Sequence, residues 1–133
     1  MISEILLHDM QEIECNIDSF SEELRGTTIL LTGAYGMLAS YIVYLCAYLN
    51  YYRTFNIKLV VMVRSREKFL KKFSGLNLEF VEIVENDFSS SVDYNGNIDY
   101  IIHAASLASP HIMLLDLLKF LCQIYLELNF YWI

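Results

Sequence analysis

The stretch from Thr27 to Asn50 constrains this chain more than any other. A β-branched, apolar run, Thr27–Leu31, leads directly into Thr32-Gly33-Ala34-Tyr35-Gly36. Met37–Asn50 follows, an apolar segment long enough for a helix buried against a sheet. Strand, glycine turn and helix in direct succession predict the opening of a βαβ unit. The rest of the first 110 residues keeps that rhythm. Ile57–Val63 predicts a second strand, and its unbroken apolar core suits a sheet covered on both faces. Ser65–Phe73 predicts a helix with Ser65 as N-cap. Leu78–Val84 predicts a third strand, and Ile98–His103 a fourth after the Asn95-Gly96 turn. Strands and helices alternating at this spacing predict an α/β fold with a doubly wound parallel sheet.

The turn carries a spaced motif, Gly33-x-x-Gly36-x-x-Ala39. Gly33 lets the chain turn sharply, and Gly36 lets the backbone come close to a pyrophosphate. Ala39 is small enough for helix and strand to pack. The helix N-terminus then offers free N–H groups and the positive end of its dipole to phosphate. Two glycines between strand and helix can also be a plain turn. The strand before and the helix after are the context that the phosphate reading requires.

Thr32-Gly33-Ala34-Tyr35-Gly36-Met37-Leu38-Ala39 resembles the TGxxGxxG/A cofactor loop of the short-chain dehydrogenase/reductase superfamily. Within it, the match is to the extended branch, the NAD-dependent epimerase/dehydratase family acting on nucleotide sugars. Three later landmarks fall in that family's order: Val63-Arg64-Ser65, Asn86-Asp87-Phe88 and His103-Ala104-Ala105-Ser106, each at the end of an expected strand. The resemblance covers residues 25–110. It implies a Rossmann-type sheet, incomplete here as the N-terminal half, and NAD(P) as cofactor. The cofactor-binding residues it implies are Gly33, Tyr35, Gly36, Met37, Leu38, Arg64, Asp87, Phe88, His103, Ala104, Ala105 and Ser106. On their own, Asp87 reads equally as a solvated acid or a helix cap, and His103 as a structural residue. Ala104 and Ala105 read equally as close-packed core. A carboxylate at the end of the second strand would bond the ribose 2′-hydroxyl of NAD, whereas an arginine can accommodate a 2′-phosphate. Arg64 and Arg66 therefore keep NADP open, although the family mostly uses NAD.

The resembled family's acid/base pair, Tyr-x-x-x-Lys, does not occur. The residues four before Lys58, Lys68, Lys71, Lys72 and Lys119 are Thr54, Arg64, Glu67, Lys68 and Leu115. No catalytic residue and no metal ligand is assigned, and the expectation is an inactive, cofactor-binding fragment of a longer enzyme. Residues 111–133 lack the family's next landmarks. They read either as an apolar helix or as the product of a shifted reading frame. In that second frame residues 111–114 can encode Tyr-Tyr-Ala, and residues 122–128 can encode Pro-Asn-Ile-Phe-Gly-Thr.

Composition narrows the alternatives. Hydrophobic residues make up 56% of the 133-residue chain, which excludes disorder, and the net charge of −7 speaks against a nucleic-acid partner. Acids concentrate in residues 1–25, an expected partly helical segment whose one arginine or lysine is Arg25. Cys15, Cys46 and Cys122 are scattered, predicting free thiols in a reducing cytoplasm rather than disulfides or zinc ligands. The N-terminus lacks the basic start of a signal peptide. Leu38–Tyr52 is too short to span a bilayer, and Asp116, Lys119 and Glu127 interrupt Ile112–Ile133. The expected partners are a dinucleotide and, in a full-length form only, a nucleotide sugar. Two other readings stay open: a stand-alone nucleotide-binding or regulatory module, and a small protein held at a membrane by its tail.

Overall fold

The computed structural model describes residues 3–86 and 94–105. Helix α1 spans Glu4–Ser21, and a short 3₁₀ turn follows over Glu22–Leu24. The α/β unit then runs β1 (Thr28–Thr32), α2 (Met37–Arg53), β2 (Lys58–Val63), α3 (Arg66–Lys72), β3 (Val81–Glu85) and β4 (Tyr100–His103). The four strands form one sheet in the order β3-β2-β1-β4, and every pairing is parallel. Leu31 pairs with Val61 on one side and Ile102 on the other.

Strand residues alternate between two cores, as the period of two requires. Ile29, Leu31, Leu59, Val61 and Val63 share one core with Ala39, Val43 and Leu49 of α2, Phe69 of α3 and Met10 of α1. Leu30, Val60 and Met62 face the other way and bury with Ile98. From Leu59 to Val63, β2 is apolar without a break and buried on both faces. The chain steps outward from β1 through β2 to β3, with α2 and α3 on the same side. It then returns to the far side of β1 as β4. The strand order thus reverses beside β1.

Several boundaries differ from those the sequence predicts, each for a local reason. α1 extends to Ser21, beyond the loose helical spacing of residues 3–14, and is fastened to α2. The Tyr48 hydroxyl donates to Glu14 at 2.7 Å, the Tyr41 hydroxyl donates to Asp9 at 3.0 Å, and the Arg53 guanidinium donates to Glu14. The bond from Arg53 holds the Glu14 carboxyl below the usual carboxylate range. α2 continues to Arg53 and ends at Thr54, which adopts the left-handed conformation with φ 54°. β3 begins at Val81 rather than Leu78 because the Val81 N–H bonds the Leu78 carbonyl at 2.9 Å and closes a turn. Among the described residues, no helix is long and apolar enough to cross a membrane.

Candidate functional site

The strand order reverses between β1 and β4, whose carboxyl ends lie side by side. Open α/β sheets take their ligands at such reversals. β1 delivers the chain into a turn over residues 33–36. Gly33 sits at φ 66°, its N–H donates to the Met62 carbonyl at 3.2 Å, and the Gly36 N–H closes onto the Gly33 carbonyl at 2.9 Å. A side chain at Gly33 would meet backbone. Its Cβ would lie 2.8 Å from the Ala104 carbonyl oxygen and from the Ala105 nitrogen and Cα. Gly33 is therefore required by its conformation and by β4 packed against it, not by a ligand passing over it. Gly36 differs. Its φ of −64° is open to any residue, and a Cβ there would meet only the Gly33 carbonyl oxygen, at 3.2 Å.

Gly36 is the N-cap of α2 and has no side chain to cap it. Among the described residues, no side chain therefore accepts from its first-turn N–H groups, which need a partner from outside the helix. Met37 and Leu38 in that turn are 78% and 76% exposed, while Ala39 packs inward at 2%. The small third motif position is where helix meets sheet, as the spacing predicts.

Thr32, the last residue of β1, ties the site together. Its side chain is fully buried, and Oγ1 accepts the Ala104 N–H at 3.1 Å and the Ala105 N–H at 3.2 Å. The same oxygen lies 2.9 Å from His103 Nδ1. One hydroxyl therefore fixes the end of β4 beside the glycine turn. The structure brings His103, Ala104 and Ala105 to the same edge as Gly33, Tyr35, Gly36, Met37 and Leu38.

The β2 side of this edge is basic. Arg64, directly after β2, is exposed. Ser65 caps α3 as predicted, accepting the Lys68 N–H at 3.3 Å. Arg66 reaches the Ile83 carbonyl at 3.4 Å. From the end of α3, Lys72 reaches back and donates to the Tyr35 carbonyl of the glycine turn at 2.8 Å. Side chains on a helix lean toward its N-terminus, which lies at this edge of the sheet. After β3, the Asn86 N–H bonds the Val63 carbonyl at 2.9 Å. Asp87, Phe88 and Ser106, also expected at the site, lie outside the described residues, as does the 111–133 tail.

Motif reading alone assigned no role to Thr32 beyond its place in the loop, and it did not single out Lys72. The available signal for Lys72 was charge. Arg64, Arg66, Lys68, Lys71 and Lys72 are five of the nine arginines and lysines in an acidic chain. A separate cleft of about 460 Å³ lies near the amino ends of β2 and β3, lined in part by Asn50, Tyr51, Thr54, Asn56 and Phe80. Neither the glycine turn nor β4 contributes to it. Compared with known proteins, the chain matches no family model and no curated relative.

Proposed function

We propose that this chain is an NAD(P)-binding unit of the kind found in epimerase/dehydratase-type short-chain dehydrogenases, with a doubly wound arrangement and a cytoplasmic location. The observation that carries the reading is the uncapped, glycine-led N-terminus of α2, set where the strand order reverses between β1 and β4. The residues present suit the group. Gly36 leaves the approach to the first-turn N–H groups of α2 open to a pyrophosphate, which they would hold with the helix dipole. Ala104 is exposed and small at the end of β4, leaving room for the nicotinamide half. Arg64 stands at the end of β2, on the side of the adenosine ribose. A bound dinucleotide would supply hydride transfer. The residues here bind and orient it, and the reading assigns them no proton-transfer step. A nucleotide-sugar substrate enters only for a protein that also carries the acid/base pair.

Gly36→Asp tests this without breaking the fold. An aspartate N-cap bonds the first-turn N–H groups and favours the helix dipole, while its Cβ presses on the Gly33 carbonyl oxygen at 3.2 Å, so the two effects oppose each other and stability should change by no more than about 1 kcal/mol in either direction. The same carboxylate would occupy the phosphate position and repel the ligand. Titration with NADH and NADPH, followed by nucleotide fluorescence, should show binding to the wild type and none to the variant. Equal affinity in both proteins would sink the assignment.

A further inference from the structure

The cleft at the amino ends of β2 and β3 takes no part in the dinucleotide site, and its chemistry is different. It encloses about 460 Å³ between the last turns of α2, the connection to β2 and the segment leading into β3. Asn50, Asn56 and Asn77 line it together with Thr54 and Glu79, and Tyr51 and Phe80 add aromatic rings. Among its described lining residues none is an arginine or a lysine, and Glu79 is the one acid. The polar groups are held by bonds that leave valences over. The Asn50 amide grips Ile57 twice, accepting its N–H at 2.7 Å and donating to its carbonyl at 2.8 Å. A side-chain amide has two N–H donors and two lone pairs, so half of that capacity stays open. Asn77 accepts the Glu79 N–H at 3.1 Å and donates to one Glu79 carboxylate oxygen at 3.2 Å, leaving the other oxygen. The Thr54 hydroxyl donates to the Arg53 carbonyl at 2.7 Å and can still accept. The Asn56 amide is exposed and has no partner among the described residues. Thr54 and Asn56 both hold left-handed backbone, at φ 54° and 58°. For a β-branched threonine that conformation is an outlier, and strain of this kind gathers at binding sites.

We propose that this cleft binds a neutral, polyhydroxylated ligand of monosaccharide size. A sugar hydroxyl both donates and accepts, as a side-chain amide does, so a wall of asparagines meets neighbouring hydroxyls in pairs. The open Glu79 oxygen and the Thr54 hydroxyl accept from hydroxyl protons. One face of a sugar ring carries C–H groups and packs on an aromatic ring, here the exposed Tyr51 or the half-buried Phe80. Other charge types fit less well. An anion meets Glu79 and no base in the lining, since Arg25 and Arg53 of the same region are paired with Glu22 and Glu14. A cation finds a single exposed carboxylate, and such a pair contributes little in water. The volume lies within the range of about 300–1,000 Å³ typical of small-molecule sites.

Left-handed backbone makes a clean test available. Glycine adopts φ near 54° and 58° freely, so Thr54→Gly and Asn56→Gly remove cleft groups without straining the fold. The isotopically labelled full chain is titrated with glucose, galactose and N-acetylglucosamine, and with gluconate and choline as charged counterparts, by NMR. Circular dichroism confirms that each variant folds. At least one neutral sugar should bind with a millimolar dissociation constant and shift the side-chain amide signals of Asn50, Asn56 and Asn77. Gluconate and choline should leave those signals in place. In Asn56→Gly and Tyr51→Ala the dissociation constant should rise about ten-fold, the size of one lost hydrogen bond or ring contact. Thr54→Gly should weaken binding by a smaller factor. Three results overturn the proposal: a folded wild type that binds none of the sugars, sugar binding that Asn56→Gly and Tyr51→Ala leave unchanged, or a cleft that takes choline or gluconate in preference to them.

Discussion

Gly26 and Gly33 form a matched pair in which one term of a folding energy can be isolated. Both hold left-handed backbone, at φ 68° and 66°. A Cβ on Gly26 meets nothing within 4 Å, whereas one on Gly33 lands 2.8 Å from three backbone atoms at the end of β4. Gly26→Ala should therefore show only the conformational penalty of an L-residue in that region, about 1–2 kcal/mol. Gly33→Ala carries the same penalty and must also push two strand ends apart. Overpacking of this kind adds about 1–3 kcal/mol, and rigid backbone neighbours place it toward the upper end. The total of roughly 2–5 kcal/mol is a large part of the 5–15 kcal/mol that stabilises a typical domain. Urea unfolding followed by circular dichroism, with both slopes unchanged, reads the difference directly. In thermal melts each kcal/mol is worth roughly 4 °C for a chain of this size. If the two variants unfold at the same urea concentration, β4 is not packed on the turn and the site geometry described above is wrong. Loss of ligand binding in any Gly33 variant would be confounded by this damage, which is why Gly36 is the informative position for the ligand.

Thr32→Val should cost about 1–3 kcal/mol, because it keeps the shape but removes the acceptor of the Ala104 and Ala105 N–H groups, of which the half-buried Ala105 is the harder for water to reach. Thr32→Ser should recover most of that, and hydrogen exchange at those two amides should accelerate in the valine variant alone. Burial pushes the Cys46 thiol up from 9.0 to about 12. The folded protein then holds a proton that the unfolded chain loses, so this contribution is intact below pH 9 and falls as pH rises toward 12. The slope is at most about 1.4 kcal/mol per pH unit. With Cys15 and Cys122 replaced by serine, alkylation of Cys46 at pH 8 should proceed only as fast as the protein opens. Immediate labelling would show that the thiol is accessible.

The parallel sheet was legible because its signals are local. β1, β2 and β4 are short apolar runs, and Ser65 and Gly36 stand at helix starts where a hydroxyl cap or an open N-terminus belongs. What the sequence left hidden depends on contacts between distant segments. The seating of α1 on α2 through Glu14, Tyr48 and Arg53 has no periodic signature. The position of Gly33 against Ala104 joins residues far apart in sequence, so the motif could suggest a tight turn but not what lies above it. Lys72 escaped for the same reason. On a helical projection it is one more exposed lysine, and only the packing of α3 beside the turn brings it to Tyr35.

The Thr32 hydroxyl has a consequence that follows from counting valences. Three nitrogens lie within hydrogen-bond distance of Oγ1. Two are backbone N–H groups, which can only donate, and they fill both lone pairs of the oxygen. The hydroxyl proton is left for His103 Nδ1, which must accept it. An imidazole that accepts at Nδ1 is the neutral tautomer, with its own proton on Nε2. The end of β4 thus holds a ring committed to donating from its outer nitrogen. To take a second proton at Nδ1, it would first have to turn the threonine hydroxyl away. A histidine wired in this manner couples the end of β4 to the end of β1 through a single hydroxyl.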